Sequence, residues 1–336
     1  MANKILISDP TLRDGSHAIA HQLTIDHIAM YSRAADEAGV PIIEVGHGNG
    51  LGASSMQVGL SLVDDKSMLE TARKNIFKGK LGIHIIPGFA TIKRDLSLAI
   101  DIGVDVYRVA SHCTEADITQ RHIGFVRDKG KEAYGVLMMS HMASPSVLLQ
   151  EARKMEAYGA EGIILMDSAG AYLPTDVQEK VEKLVNGLKV PVGFHAHNNL
   201  GLSIANSIAA LTSGAKILDG TSRGFGAGAG NAQLEVLIAV LQKMNIETGV
   251  DLYKILDAAD LVEKHILQVV PTINSESVVS GLSGVFSGFA KHVNRISKQF
   301  KVDPRDIYVE LGKRRVVGGQ EDIIIEVVMD LLNRKS

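Results

Sequence analysis

The 336-residue chain has no tryptophan, one cysteine and few aromatic residues, which make up 4 % of it. A lone cysteine, Cys113, excludes a disulfide framework within the chain and suits a reducing compartment. No stretch approaches the roughly 18 consecutive apolar residues that a membrane-spanning helix needs. The opening MANKILISD carries too short an apolar run for a secretory signal. A cytoplasmic protein without a membrane partner is expected. Charge of one sign is lacking as well: 35 Lys and Arg face 38 Asp and Glu, a formal net charge of −3. That balance implies neither nucleic acid nor an anionic lipid surface as a partner. With aromatics scarce and 46 % of the residues hydrophobic, the core must be built from Ala, Val, Ile and Leu.

What the chain does contain is a repeating local pattern. An amphipathic stretch ends at Gly, and an apolar β-type run begins within a few residues. Examples are A34-A-D-E-A-G39-V-P-I-I-E-V45, S97-L-A-I-D-I-G103-V-D-V-Y-R-V109, E156-A-Y-G159-A-E-G-I-I-L-M166 and L211-T-S-G214-A-K-I-L-D219. Gly just past the last helical turn caps a helix in the left-handed conformation. Nearly all-apolar strands are expected where helices cover a parallel sheet. The pattern predicts eight strands, at residues 4–8, 41–46, 81–86, 105–110, 133–139, 162–167, 191–197 and 216–220. Eight βα units in about 250 residues match an α/β fold of the (β/α)8 TIM-barrel type. A doubly wound sheet would carry a Gly-rich phosphate loop after its first strand, and P10-T-L-R-D-G-S-H17 is not one. Residues 251–268, 277–300, 303–312 and 320–335 look helical. The expected organisation is a catalytic barrel over 1–250 and a helical C-terminal extension over 251–336, serving as a partner or dimer interface.

Chemistry concentrates at two predicted strand ends. In V190-P-V-G-F-H-A-H-N-N199, His195 and His197 lie two apart on a strand and so project from one face. Two such imidazoles can chelate one divalent metal; the bland alternative is a pair of hydrogen-bonded core histidines. The strand-end position and the polar Asn198-Asn199 that follow favour metal. After the first strand come Asp9, Arg13, Asp14 and His17. Asp14 would complete a set of two nitrogens and one carboxylate, leaving coordination positions open. Strands one and seven both neighbour strand eight in a closed barrel, so one shared site is geometrically reasonable. Beside a metal, Arg13 suits clamping a carboxylate or an enolate oxygen. His17 is the candidate general base, since an imidazole needs little tuning to work near neutrality. Ser168 either donates to a substrate carboxylate or caps the following helix. The loop R223-G-F-G-A-G-A-G-N231 allows close backbone approach to a ligand or anion.

Taken together, D9-x-T-L-R13-D14-G, H195-x-H197-N-N and G224-F-G-A-G-A-G-N231 resemble the metal-dependent aldolase and acyl-transfer barrels called DRE-TIM metallolyases. Within them the chain is most similar to the 4-hydroxy-2-oxovalerate aldolase family. R13-D-G-S-H17-A, V45-G-H-G, V109-A-S-H-C-T-E-A-D117, L137-M-M-S-H-M142 and E310-L-G-K-R-R-V-V-G-G-Q-E-D322 carry that likeness over nearly the whole length. The resemblance implies Mn2+, with Co2+ or Mg2+ as other divalent ions, held by Asp14, His195 and His197. It implies cleavage of a 4-hydroxy-2-oxo acid to pyruvate and an aldehyde, typically acetaldehyde. His17 would take the 4-hydroxyl proton, and Arg13 would hold the pyruvate enolate. Asp14, His195 and Ser168 would also touch substrate. An acylating acetaldehyde dehydrogenase is the implied partner, in a homodimer or hetero-oligomer, with the C-terminal helices as the contact.

Two positions depart from the family pattern. Phe286, in G284-V-F-S-G-F289, stands where the family typically has a Tyr whose phenol binds substrate. His84, in L81-G-I-H-I-I-P-G88, stands where an aliphatic residue is expected. Strand period puts His84 on the same face as Ile86, toward the pocket. An acyl-CoA-dependent lyase or condensing enzyme of the same barrel group is the first alternative. A thioester lyase would carry a Cys in the Gly-rich loop, and G224-F-G-A-G-A-G230 has none. A non-catalytic subunit of an aldehyde dehydrogenase is the second. It would have no physical need for two adjacent metal-binding imidazoles.

Overall fold

The computed structural model describes residues 5–334. Eight parallel strands close into a barrel in sequence order, with β1 beside both β2 and β8. They are β1 Leu6–Leu12, β2 Ile42–Val45, β3 Lys80–Ile85, β4 Val106–His112, β5 Glu132–Met138, β6 Ile163–Asp167, β7 Val192–Ala196 and β8 Ile217–Asp219. Each is followed by a covering helix: α1 Ile25–Glu37, α2 Asp65–Arg73, α3 Ser97–Ile102, α4 Gln120–Asp128, α5 Pro145–Ala157, α6 Pro174–Gly187, α7 Ser203–Thr212 and α8 Leu234–Lys243. The period-two pattern sorts the strand residues by face. Ile42, Val106, Val136, Ile164 and Met166 fill the interior. Ile43, Leu81, Tyr107, Val109 and Leu165 pack outward against the helices. Each such aliphatic chain, once fully buried, contributes about 1.5–3 kcal/mol.

Two strand ends differ from expectation. The first strand runs on to Leu12 rather than stopping at residue 8, while the expected start at Lys4 lies outside the described residues. Asp9 Oδ1 accepts the Thr11 amide at 2.9 Å, and the pairing with β2 shifts register between Asp9 and Leu12. This local turn absorbs an irregularity around Pro10 without ending the strand. β7 closes at Ala196, so His197 sits one residue past it, in an isolated bridge to Asn231.

Beyond the barrel lie α9 Leu252–His265, α10 Ser275–Ser283, α11 Ala290–Phe300, α12 Pro304–Lys313 and α13 Ile323–Asn333. The division expected at residue 250 falls before α9, yet α9 buries Ile255, Ala258 and Val262 in the core shared by the sheet and its helices. A second core begins with Val285 and gathers Phe289, Val293, Ile307, Leu311 and Val327. The helix expected over 277–300 is two helices. Gly284, at φ 66°, ends α10 in a left-handed cap and turns the chain so that Val285 and Phe289 both enter that core.

The two cores meet at a polar junction. Ser287 N–H donates to Ser168 O at 3.1 Å, and Asn199 Nδ2 donates to Ser287 Oγ at 2.9 Å. Arg315 Nη2 donates to Met142 O at 2.8 Å. His141 Nε2 reaches Gly284 O at 2.9 Å, while its Nδ1 is buried with no partner. Burial therefore pushes the His141 pKa down to about 4. A histidine whose folded pKa lies below its unfolded value of about 6.5 binds more protons unfolded. Its stabilising contribution is complete above pH 6.5 and is lost as pH falls toward 4. Thermal melts between pH 7.5 and 4.5 are expected to show Tm falling below pH 6.5, with a shallower slope in His141→Gln. An identical slope in that variant would remove His141 from the account.

Candidate active site

Asp14 opens a short 3-10 turn, Asp14–Ile19, directly after β1. His195 lies in β7 and His197 just beyond it. All three are buried. His195 Nε2 is 3.5 Å and His197 Nε2 is 4.0 Å from Asp14 Oδ2. One ligand atom from each residue lies within 4.8 Å of the others. Asp14 Oδ1, His195 Nε2 and His197 Nδ1 are buried without hydrogen-bond partners. Buried polar atoms are rarely left so. Two imidazoles and a carboxylate that bring one ligand atom each together are a donor set fitted to a divalent cation. Asp14, His195 and His197 therefore form a candidate divalent-metal site.

The surroundings prepare these donors. Burial alone would raise the Asp14 pKa, but the Arg13 guanidinium and the two imidazoles outweigh it and hold the carboxyl well below its usual range. His195 Nδ1 lies 2.9 Å from Asp219 Oδ2, which orients the ring so that Nε2 faces Asp14. Burial opposes charge on His195, yet the neighbouring carboxylates of Asp14 and Asp219 raise its pKa above the ordinary value. Burial pushes the His197 pKa down to about 3, leaving it neutral.

Beneath the donors is a layer of paired charges inside the barrel. Arg13 Nη1 binds Asp14 Oδ2 at 2.7 Å and Arg13 Nε binds Glu44 Oε2 at 3.1 Å. Arg108, from β4, bonds to Glu44 and to Asp219 Oδ2, the latter at 2.6 Å. These two arginines and three carboxylates are all buried. Arg13 Nη2 alone among the Arg13 nitrogens is buried without a partner. It remains a free donor on a cation whose orientation is fixed at two other nitrogens.

His17 stands in the same 3-10 turn as Asp14. Burial, assisted by Arg13 and opposed by Asp14, lowers its pKa, so the ring is neutral near pH 7. It packs edge-on against His21, ring centroids 5.0 Å apart, and His21 in turn stacks on His47 at 3.6 Å. Ser16 Oγ lies 3.1 Å from His21 Nδ1, and the His47 ring bonds to Gly59 O at 3.1 Å.

A small cavity is lined by Arg13, Asp14, His17, His84, His197 and Phe286, among others. It opens past His17, Ile86, Met138 and Phe286 into a cleft of about 440 Å³. The barrel mouth forms one wall of the cleft, and Ser287, Lys291, Gly318 and Glu321 of the C-terminal unit form the other. The Gly-rich loop contributes Gly226, Ala227 and Gly228. A Cβ on Gly226 would lie 2.3 Å from Asn231 Nδ2 and 3.2 Å from Asp14 Oδ1, so only Gly lets the loop approach the donors this closely.

The structure thus brings Arg13, Asp14, His17, His84, His195, His197 and Phe286 together, and it leaves Ser168 aside. Ser168 lines neither cavity, and its Oγ accepts the Met139 amide at 3.0 Å. Nor does it cap a helix, because the cap position of α6 is Leu173. Asp9 is likewise occupied elsewhere, holding Thr11 and Tyr31. Sequence reasoning missed Glu44, Arg108 and Asp219. It also passed over Asn231, whose buried Oδ1 is a further unpartnered acceptor beside Asp14. The signal for the first three was present: a lone charge inside each of I42-I-E-V45, V106-Y-R-V109 and I217-L-D219. A charge buried in an apolar strand must be paired.

Comparison with known proteins bears on the chain as a whole. The family described as HMGL-like matches residues 4–262, and that described as a DmpG-like communication domain matches 271–333. The 4-hydroxy-2-oxovalerate aldolase of Pectobacterium atrosepticum is 63% identical, covering 100% of this chain and 98% of its own. The 4-hydroxy-2-oxovalerate aldolase of Spirochaeta aurantia is 60% identical over 98% of this chain and 97% of its own. The carboxyl transferase domain of Rhizobium etli pyruvate carboxylase superposes with a TM-score of 0.81 at 15% identity, covering 98% of this chain and 60% of that one, a likeness of fold alone. Similar along its whole length to enzymes of one name, and built on the HMGL-like barrel, the chain belongs to the 4-hydroxy-2-oxovalerate aldolase family of carbon–carbon lyases.

Proposed function

We propose that this protein cleaves 4-hydroxy-2-oxopentanoate, or a similar 4-hydroxy-2-oxo acid, to pyruvate and an aldehyde. The observation that carries the reading is the pairing of a neutral imidazole, His17, with a free guanidinium donor, Arg13 Nη2, beside the Asp14–His195–His197 donor set. Retro-aldol cleavage needs a base at one end of the breaking bond and positive charge at the other.

Manganese, or another divalent ion such as cobalt or magnesium, is the group we assign to Asp14, His195 and His197, and when bound it supplies Lewis acidity toward the 2-oxo acid end of the substrate. His17 accepts the proton of the 4-hydroxyl. The electron pair of that O–H bond becomes the aldehyde C=O, and the C3–C4 bond breaks. Its electrons move to C3 and delocalise onto the C2 oxygen as an enolate. Arg13 Nη2 donates to that oxygen, and the grip of Asp14 and Glu44 keeps the guanidinium from reorganising. A proton delivered to C3 then completes pyruvate. Ser168, which lines neither cavity, has no part in this scheme.

The C-terminal unit, matched over 271–333 by the communication-domain family, is the surface we assign to an acylating aldehyde dehydrogenase or to a second copy of this chain. The aldolase reading is tested by pyruvate release from 4-hydroxy-2-oxopentanoate after chelator stripping. Turnover is expected to return with manganese. Its absence with manganese, cobalt and magnesium alike would overturn the assignment.

A further inference from the structure

The wall of the reactive cavity holds one polar group that neither the metal donors nor the proposed chemistry uses. His84 projects from β3 beside Arg13, Asp14 and His17, and it is 2% exposed. Its Nδ1 has no hydrogen-bond partner. Burial, with the positive charge of Arg13 nearby, holds its pKa well below 6.5 and keeps the ring neutral. Leaving such an atom unmatched is costly, and filling the position with an aliphatic side chain would avoid that cost.

The placement of His84 narrows what it can meet. The 2-oxo acid end of the substrate is taken by Arg13 and the metal donors. Ile86 follows two residues later, just past the end of β3, and lines both cavities with Met138 and Phe286. His84 therefore lies where the polar reactive floor meets the apolar outer wall. On the aldolase reading, that is the level left for the substituent carried by the carbinol carbon. A neutral imidazole nitrogen recognises a hydroxyl; it lacks the charge to compensate a buried carboxylate.

We propose that His84 binds a hydroxyl group on the carbon next to the carbinol, so that the preferred substrates are 4,5-dihydroxy-2-oxo acids and the aldehyde released is an α-hydroxyaldehyde. This rests on the aldolase reading. Cleavage of 4,5-dihydroxy-2-oxopentanoate at C3–C4 yields pyruvate and glycolaldehyde, with atoms and protons balanced as for the 4-hydroxy acid.

The test compares kcat/KM of the manganese enzyme for 4,5-dihydroxy-2-oxopentanoate and 4-hydroxy-2-oxopentanoate. Wild type is expected to favour the dihydroxy acid by about tenfold or more. His84→Leu is expected to remove that preference, and His84→Asn, which keeps a donor and an acceptor, to restore part of it. Melting curves confirm that both variants are folded. Exchange of pyruvate methyl protons with D2O, which requires only enolate formation, is followed in parallel. Exchange without a preference in wild type, or a preference that persists in His84→Leu, overturns the role of His84. Absence of both exchange and cleavage overturns the aldolase reading, and the His84 inference with it.

Discussion

Asp14→Asn is expected to abolish manganese retention and, with it, pyruvate release. The substitution keeps the side chain's size and removes its charge. Asp14 is the one anionic member of the Asp14–His195–His197 donor set, and it anchors Arg13 at 2.7 Å. The loss therefore strikes two positive centres at once. Removing partners one shell further out typically lowers metal affinity 10–100-fold, so a direct ligand should exceed about 100-fold. The accompanying loss of several kcal/mol of charge stabilisation corresponds to at least about 10³-fold in turnover. Manganese titration by calorimetry, with Tm at saturating metal, provides the check. Wild type should gain several degrees from the ion, because a ligand bound only by the folded state stabilises it. A variant that binds manganese as wild type does would take Asp14 out of the site.

His17→Ala should separate chemistry from metal binding. Loss of a general base costs about 10²–10⁴-fold in kcat, whereas the Asp14, His195 and His197 donors stay in place. The pH profile gives a second readout. As the proposed base, His17 would act as the deprotonated ring, and burial with Arg13 lowers its folded pKa below 6.5. The acid limb of kcat/KM should therefore have its midpoint below 6.5, with the rate falling only as pH drops through the depressed value. In His17→Ala that limb should vanish from the residual activity. A variant that retains both the rate and the limb would assign the base to another group.

Strand and barrel were legible because burial on both faces leaves a nearly uninterrupted apolar run, as in G162-I-I-L-M-D167 and V192-G-F-H-A196. The donor set was legible for a related reason: His-x-His obeys the period of a strand, and Asp14 follows the strand that the closed barrel brings round to β8. Where local geometry decides, reading was weaker. Pro10 looks like the end of a strand, yet Asp9 folds its carboxylate back onto the Thr11 amide and pairing resumes at Leu12. Gly284 reads as one small residue in a helical stretch, and its left-handed φ splits that stretch in two. Ser168 offered a hydroxyl at a strand end, and only the tertiary structure reveals that it lines neither cavity and accepts the Met139 amide. Glu44, Arg108 and Asp219 come from three separate strands, so their mutual neutralisation is invisible until the barrel closes.

That buried layer of Arg108, Glu44 and Asp219 divides the barrel interior into a foundation and a wall. Changes in the foundation propagate upward: Glu44 grips Arg13, and Asp219 steers His195, so each exchange there would disturb catalysis and folding together. His84, Ile86, Met138 and Phe286 stand above it, and none of them takes part in its ion pairs. Selectivity can therefore drift by single substitutions along the wall while the electrostatic foundation is inherited intact. The barrel can exchange one aldehyde for another without having to reinvent the reaction.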